Sequence, residues 1–382
     1  MDRWVATWGC ALQPPDQADD PELGGAVLRQ TIRVTLGGRR GRLVLSNEYG
    51  ERPLVLDAVA VARPRDGHAG TSAIEPGSSR PLRFGGAAEV TIPPGTRVTS
   101  DVFAYPVQPR TNLTITMSVR SAPAMLTTHP GSRTTSHVLR RGGESGRGLI
   151  SVAHWYFLAA LELPAYDDSA AAVVVCLGDS LTDGRGCTTD GNDRWPDVLA
   201  DRLHAEGRPR LAVVNQGAGG ARVLRDGLGL AALRRLDRDV LGCAGVRWLI
   251  LFAGINDIGR ENATEADQRR IGDELVAGYA ELIDRAHARE IRVYGATLTP
   301  FGGHEYDDPA GRREQTRSRV NAWIRDSGQF DAVIDFDSVV RTAGDPGRAQ
   351  AALHDGDGLH LNPAGYRALA AAVPAELFAE SA

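Results

Sequence analysis

Residues 173–184 read VVVCLGDSLTDG, and they mark a change in the character of the chain. An apolar, mostly β-branched run stops at Gly178, and Asp179 and Ser180 follow directly. The run predicts a buried β-strand whose end has two interpretations. In the first, the turn leads into a helix capped by Asp179 and Ser180. In the second, Ser180 is a nucleophile at the carboxyl end of a parallel strand, where open α/β sheets bind ligands.

Four further apolar runs follow this strand: LAVVN, VRWLILF, IRVYGATL and FDAVIDF. They alternate with amphipathic segments at roughly 193–206, 227–241, 264–289, 311–327 and 363–379. Thr264 and Asp267 are spaced as in a helix capping box, with Asp in place of the usual Glu or Gln. The alternation predicts an α/β domain over residues 172–382. Its core is a five-stranded parallel sheet covered by helices on both faces, which makes three layers.

The preceding part of the chain is rich in Gly and Pro and contains short alternating runs. They are RQTIRVTL, GRLVLSN, PLVLDAVAVA, AEVTIPP, RVTSDVFAY, TNLTITMSV and HWYFLAALEL. This pattern predicts an antiparallel β-sandwich of jelly-roll type, an accessory domain over residues 1–165, with no helix of useful length. The stretch PAYDDSAA, residues 164–171, is predicted to be a linker.

Composition excludes several kinds of partner. The chain has 382 residues, of which 42% are hydrophobic and 24% charged, as in an ordinary globular protein of two domains. Its net charge of −5 gives no reason to expect nucleic acid or an anionic membrane surface. No run approaches the roughly 18–20 apolar residues of a membrane span. The N-terminus has no apolar signal region, so we expect a cytoplasmic protein, or a secreted one if a signal peptide has been removed. The oligomeric state is left open.

The chain contains no lysine, so all 43 basic residues are arginine. P-loop enzymes, pyridoxal enzymes and protein kinases each need a lysine, and the absence of this residue excludes them. No cofactor is predicted. The four cysteines are scattered without a C-x-x-C pair, which predicts neither a zinc site nor a disulfide framework.

Polar residues follow the predicted strands in a consistent set. Ser180 follows the first strand, NQGAGGAR (215–222) the second and AGINDIG (253–259) the third, and DGDGLHLNPAGY (355–366) lies near the C-terminus. A hydrolase needs a nucleophile, a base, an acid that orients the base, and donors for an oxyanion. Ser180, His360 and Asp357 supply the first three. A glycine amide of the second block, the Asn256 side chain and the Ser180 N–H supply the donors.

These four blocks resemble those of the SGNH hydrolases, also called the GDSL esterase/lipase family. Ser180 corresponds to the family's serine, Gly220 to its glycine, Asn256 to its asparagine, and Asp357 with His360 to its D-x-x-H block. The resemblance covers roughly 172–379, and RWPDVLADRL and ATLTPFGG are similar to actinobacterial members that have a β-rich N-terminal domain. It departs at residue 221, which is Ala where relatives often have Asn, so a hydrogen bond that positions this loop is expected to be missing.

The resemblance implies a serine esterase that hydrolyses carboxylic esters through an acyl-enzyme on Ser180. The partners it implies are small-molecule or carbohydrate esters, such as small acyl esters or O-acylated sugars and natural products. Two alternatives remain open. One is an acyltransferase of natural-product chemistry that uses the same triad. The other is a carbohydrate-binding protein whose hydrolase domain is inert.

The remaining candidates surround these blocks. Asp355 and Asp357 both precede His360, and we predict that Asp357 orients the imidazole because a carboxylate three residues away fits the same turn. Arg222, Phe301 and Tyr306 are predicted to contact substrate. No metal site is predicted, since no spaced set of His and Cys accompanies the acidic residues.

Overall fold

The computed structural model describes residues 3–15, 20–140, 148–165 and 171–379. It divides the chain into two compact units. The first unit runs to Ala171 and includes Thr188–Asn192, and the second contains Ala172–Cys187 and the chain from Asp193 onward. Most of the predicted linker, residues 166–170, lies outside the described residues.

The first unit is built from strands. They are β1 Trp4–Gly9, β2 Ala26–Arg33, β3 Gly38–Ser46, β4 Leu54–Ala62, β5 Arg80–Pro81, β6 Val90–Ile92, β7 Arg97–Thr99, β8 Phe103–Val107, β9 Asn112–Ser121, β10 Thr128–His129, β11 Ser136–Arg140, β12 Leu149–Val152, β13 Trp155–Tyr156 and β14 Leu158–Pro164. One sheet has the order β1-β14-β3-β7, with β8 also on β3, and another has the order β12-β11-β2-β9-β4-β5, with β6 also on β4. Their strands pair antiparallel, which confirms the predicted all-β region.

Side chains of β8, in the first unit, alternate between core and surface. In β8, Phe103, Tyr105 and Val107 are buried, whereas Ala104 and Pro106 between them are exposed. Successive side chains of a strand point to opposite faces, so this two-residue period places one face of the strand in the core. The alternation that predicted the strand is therefore also the pattern of its burial.

The second unit contains strands and helices in alternation. The strands are β15 Ala172–Gly178, β16 Leu211–Gly217, β17 Val246–Phe252, β18 Arg292–Ala296, β19 Ala332–Ile334, β20 Arg341–Thr342 and β21 Asp345–Ala349. The helices are α1 Ser180–Asp183, α2 Trp195–Ala205, α3 Ala232–Leu236, α4 Ile255–Arg260, α5 Glu265–His287, α6 Arg312–Asp326, α7 Phe336–Val340 and α8 Pro363–Ala372. A π-helical turn, Asp237–Leu241, follows α3, and a 3₁₀ turn, Ala375–Phe378, follows α8.

Five of these strands form a parallel sheet in the order β16-β15-β17-β18-β19, as predicted. Every residue of β15 is buried, which explains why this strand is a continuous apolar run and not an alternating one. β15 lies inside the sheet, with β16 paired on one side of it and β17 on the other. Ligands of open α/β sheets bind where the strand order reverses in this way, outside the carboxyl ends of the strands.

The helices follow the predicted segments with two differences. The longest, α5, begins at the predicted capping box, where Thr264 Oγ1 accepts a hydrogen bond of 3.1 Å from the Asp267 N–H. The segment predicted at 227–241 is helical only from Ala232 onward. The last segment does not continue to residue 379, because Pro374 lacks the N–H that a helix interior requires. Among the described residues, no helix combines the length and the apolar character needed to cross a bilayer.

Candidate active site

The serine turn joins β15 to the short helix α1. Asp179 is the N-cap of that helix, and its side chain accepts a hydrogen bond of 3.0 Å from the Leu181 N–H. The turn is close-packed, since a Cβ on Gly178 would lie 2.1 Å from Thr182 Oγ1 and 2.6 Å from the Phe252 carbonyl oxygen. Asp179 therefore does the capping, and the hydroxyl of Ser180, the first helical residue, is left to bond elsewhere.

A chain of hydrogen bonds joins Ser180, His360 and Asp357. Ser180 Oγ lies 2.8 Å from His360 Nε2, and His360 Nδ1 lies 2.6 Å from Asp357 Oδ2. Asp357 Oδ1 also accepts the backbone N–H groups of Leu359 and His360, at 2.9 and 2.8 Å. With the carboxylate on Nδ1, the imidazole carries its proton there and presents Nε2 as an acceptor for the serine hydroxyl.

Asp355, the rival candidate, is exposed and makes a different contact. Its Oδ1 accepts the Asp357 N–H at 3.3 Å, and its own N–H donates to the His360 carbonyl oxygen at 2.9 Å. These are contacts within the loop. The structure thus places the carboxylate of Asp357, three residues before the histidine, on the imidazole.

Burial and mutual contact shift the pKa values of both His360 and Asp357. Burial lowers the pKa of His360 below its usual value, although the neighbouring Asp357 carboxylate acts in the opposite direction. Burial alone would raise the pKa of Asp357, but the hydrogen bonds from the His360 side chain, the His360 N–H and the Leu359 N–H hold it well below its usual range. At neutral pH the pair is therefore a neutral imidazole beside a carboxylate.

The predicted oxyanion donors lie in the first three blocks, at Ser180, Gly220 and Asn256. Asn256 Nδ2 donates to the Ala221 carbonyl oxygen at 2.9 Å, which leaves its second N–H unassigned. Gly220 has a φ of +66°, a conformation that glycine adopts readily. Within the described part of the chain, the backbone N–H groups of Ser180 and Gly220 donate to no other residue. These N–H groups are thus free to bind a ligand.

The second block is held by a residue that the sequence analysis did not assign. Asp257 Oδ2 accepts the Val223 N–H at 2.8 Å, and Oδ1 accepts the Leu224 N–H at 3.1 Å. Burial raises the pKa of Asp257 to about 6. The Asp257 carboxylate and the Asn256 side chain thus hold the loop that contains Ala221, where relatives often have asparagine. The sequence signal was the Asp that directly follows Asn256.

A second unassigned residue, Arg235, binds the ends of two strands. Its guanidinium donates to the carbonyl oxygens of Gly178 and Gln216, each at 2.8 Å, and to Asp239 at 3.0 Å. Arg235 and Asp239 are both nearly fully buried, 1% and 2% exposed. Backbone carbonyls and a carboxylate thus surround the buried cation, and the carboxyl ends of β15 and β16 are held beside the serine turn.

The three residues predicted to contact substrate have different surroundings. Phe301 and Tyr306 are buried, only 1% and 5% exposed, and the Tyr306 hydroxyl donates to Asn256 Oδ1 at 2.8 Å. The Arg222 guanidinium donates to the Asp226 carbonyl oxygen of its own loop. His304, which lies in the same loop as Phe301 and Tyr306 and was also expected to shape the substrate pocket, has its ring centroid 6.2 Å from that of His360. Contact of Arg222, Phe301 and Tyr306 with substrate stays a prediction.

One cluster has the composition of a metal site. His304, Asp357 and His360 offer ligand atoms that lie within 4.8 Å of one another. However, Asp357 Oδ2 and His360 Nδ1 bond each other, and His360 Nε2 bonds Ser180. A metal ion here would have to replace those hydrogen bonds. The arrangement fits a proton relay better than a metal centre.

Residues 176–368 match the model of a family described as the GDSL-like lipase/acylhydrolase family. No curated protein matches the chain significantly. Solved structures similar to it include a GDSL-like lipase from Bacteroides thetaiotaomicron VPI-5482, with 18% identity and a TM-score of 0.38 over 53% of this chain and 85% of that chain.

Two further structures have the same degree of similarity. One is an acetyl-xylooligosaccharide esterase variant from Geobacillus, with 23% identity and a TM-score of 0.40 over 53% of this chain and 91% of that chain. The other is described as an acetyl xylan esterase, with 19% identity and a TM-score of 0.39 over 52% of this chain and 96% of that chain. These TM-scores are low, so the assignment of the chain to a family rests on the family match alone.

Proposed function

Because the chain belongs to the GDSL-like lipase/acylhydrolase family and is a carboxylic ester hydrolase, we propose that Ser180 is its nucleophile and forms an acyl-enzyme. The observation that carries this proposal is the hydrogen-bond chain from Ser180 through His360 to Asp357. Asn256, Gly220 and the Ser180 N–H are assigned to the oxyanion.

In the first half of the reaction, His360 Nε2 takes the proton of the Ser180 hydroxyl while Oγ attacks the ester carbonyl carbon. The carbonyl oxygen becomes an oxyanion, which the three N–H donors stabilise. The tetrahedral intermediate collapses when His360 returns the proton to the alcohol oxygen, and the alcohol leaves. Asp357 holds the imidazole tautomer and stabilises the imidazolium without taking the proton.

In the second half, water takes the place of the alcohol. His360 Nε2 removes a proton from water, the hydroxide attacks the acyl carbon, and the second collapse returns the proton to Ser180 Oγ and releases the acid. General-base action contributes about 10²–10⁴-fold to the rate. Each oxyanion donor contributes about 10²–10³-fold.

We propose esters with short acyl groups as substrates, including O-acylated sugars and natural products. Leu228 lies beside an assigned oxyanion donor, since a Cβ on Gly220 would be 2.8 Å from Leu228 Cδ1. The Leu228 side chain is half exposed, and it offers an apolar surface for the acyl group of a substrate. A panel of esters with increasing acyl length tests the proposal, and kcat/KM that rises steadily with length would contradict it. Added alcohols in the same assay distinguish hydrolysis from acyl transfer by the products.

The nucleophile is tested with Ser180→Ala. We expect ester hydrolysis to fall by several orders of magnitude with an unchanged fold, and a fluorophosphonate to label the wild type at Ser180 and not the variant. Ser318→Ala is the matched control, because the hydroxyl of this exposed serine donates to Glu314 on its own helix, α6. Turnover within about tenfold of wild type in Ser180→Ala, or labelling at another serine, would disprove the assignment.

A further inference from the structure

Tyr306 lies in the segment between β18 and α6 and reaches the third block of the site. Its hydroxyl donates to Asn256 Oδ1 at 2.8 Å, and both residues are buried. Fifty positions of sequence separate the two. A hydrogen bond from a buried tyrosine hydroxyl to a side-chain acceptor is directional. It therefore constrains the orientation of both side chains.

The Asn256 amide is held at both ends. Oδ1 accepts from Tyr306, while Nδ2 donates to the Ala221 carbonyl oxygen at 2.9 Å. Rotating the amide by half a turn would place Oδ1 against that carbonyl, so two acceptors would face each other. The two bonds fix the amide plane, and with it the direction of the second Nδ2–H.

The chain makes room for the tyrosine ring. Gly259 lies on α4, three residues after Asn256, and a Cβ there would be 2.1 Å from Tyr306 Cδ2. The ring also packs edge-on against His304, with centroids 4.6 Å apart. His304 Nδ1 in turn accepts the Tyr306 N–H at 3.2 Å. The ring is therefore seated on the helix that carries Asn256.

We propose that Tyr306 is a positioning residue that orients the Asn256 amide toward the oxyanion, a role distinct from contact with substrate. This inference rests on the proposed function, in which Asn256 stabilises the oxyanion. The hydroxyl acts before substrate arrives. Its effect therefore belongs to the transition state, where the oxyanion develops, and not to binding of the uncharged ester.

Tyr306→Phe tests the role, because phenylalanine keeps the ring and removes only the hydroxyl. We expect kcat to fall about tenfold with KM little changed, since one buried acceptor on Asn256 loses its partner. The acid limb of the pH profile should not move, because His360 keeps its contacts. Tyr156→Phe is the matched control: this buried tyrosine of the first unit donates to Asp20 Oδ1, also at 2.8 Å.

A double-mutant cycle with Asn256→Ala separates positioning from general destabilisation. We expect Asn256→Ala to lower kcat by about 10²–10³-fold. In that background, Tyr306→Phe should have almost no further effect. Gly259→Ala displaces the Tyr306 ring and keeps its hydroxyl. Like Tyr306→Phe, it should lower kcat in the wild type and have almost no further effect in Asn256→Ala. Melting temperatures of all variants show whether each is folded at the assay temperature.

The outcomes distinguish the two proposals. If Asn256→Ala keeps wild-type kcat, the oxyanion assignment fails and the positioning role fails with it. If Asn256→Ala is impaired but Tyr306→Phe is as active as wild type, only the positioning role fails. The positioning role would also be overturned if Tyr306→Phe lowered kcat equally in the wild-type and Asn256→Ala backgrounds. A change in KM alone would overturn it as well.

Discussion

Two parts of the site are assembled in contrasting ways. In the loop that carries His360, the contacts are local. Asp357 bonds both the imidazole and the backbone N–H of His360, three positions further along the chain. Around Asn256 the contacts are distant, since its partners Ala221 and Tyr306 are 35 and 50 positions away. The proposed acid–base pair is thus encoded in one short segment, whereas the orientation of Asn256, the proposed oxyanion donor, depends on three segments of the chain.

This difference teaches where function is sensitive to the rest of the fold. A local pair keeps its geometry as long as one loop keeps its turn. A donor held by distant partners depends on the packing of every segment that meets there. Substitutions should therefore act differently in the two regions, with large and confined effects in the first and smaller, mutually dependent effects in the second.

The largest effect is expected in the local region. Asp357→Asn should lower kcat by about 10³–10⁴-fold, because an amide on Nδ1 favours the wrong imidazole tautomer. The matched variant Asp355→Asn removes a carboxylate from the same loop and should stay within about twofold of wild type. Both are measured at saturating substrate. If Asp355→Asn were the impaired variant, the local pair would have been assigned to the wrong acid.

A smaller effect is expected where the contacts are distant. Gly220→Ala should lower kcat/KM about tenfold, because a φ of +66° costs an L-residue about 1–2 kcal/mol and the new Cβ would press on Leu228. Gly77→Ala is the control: its φ is +74°, and no atom lies within 4 Å of the Cβ. A comparable loss of activity in Gly77→Ala would show that general destabilisation explains the result.

The smallest effect concerns pH and reports on the local pair alone. Neutral His360 is the proposed base, so kcat/KM should fall as the pH drops through the pKa of His360 in the free enzyme. Burial lowers that pKa, and the half-maximum should therefore lie below about pH 6.5. The Asp357 carboxylate stays ionised there, because its pKa is also lowered. A half-maximum above pH 6.5 would mean that pairing with Asp357 outweighs burial of the imidazole.

The same contrast explains what could be predicted from the sequence. The parallel strands and the D-x-x-H pair are local patterns, and β15, Asp357 and His360 lie where they predict. The last helix was predicted to continue to residue 379, but it ends at Ala372, and Pro374 is the sequence signal for that end. Ala221, where relatives often have asparagine, predicted that a hydrogen bond positioning this loop is missing. Asp257 accepts two backbone hydrogen bonds from the same loop.

Tyr306 was predicted to contact substrate, and its hydroxyl bonds Asn256. No periodicity or spacing relates residues so far apart in the chain, so only the tertiary structure shows what Asp257, Tyr306 and Arg235 contact. The sequence predicts which residue types the chemistry needs, and it leaves out the side chains that hold them in place.

Arg235 also bears on motion near Ser180. Its guanidinium binds the carbonyl oxygens of Gly178, the last residue of β15, and Gln216, the next-to-last residue of β16, from 57 and 19 positions further along the chain. Neither strand end can separate from the sheet without breaking bonds to a buried cation that α3 carries. Local unfolding around the serine turn must therefore open three chain segments together, which makes it much rarer than the fraying of a single loop.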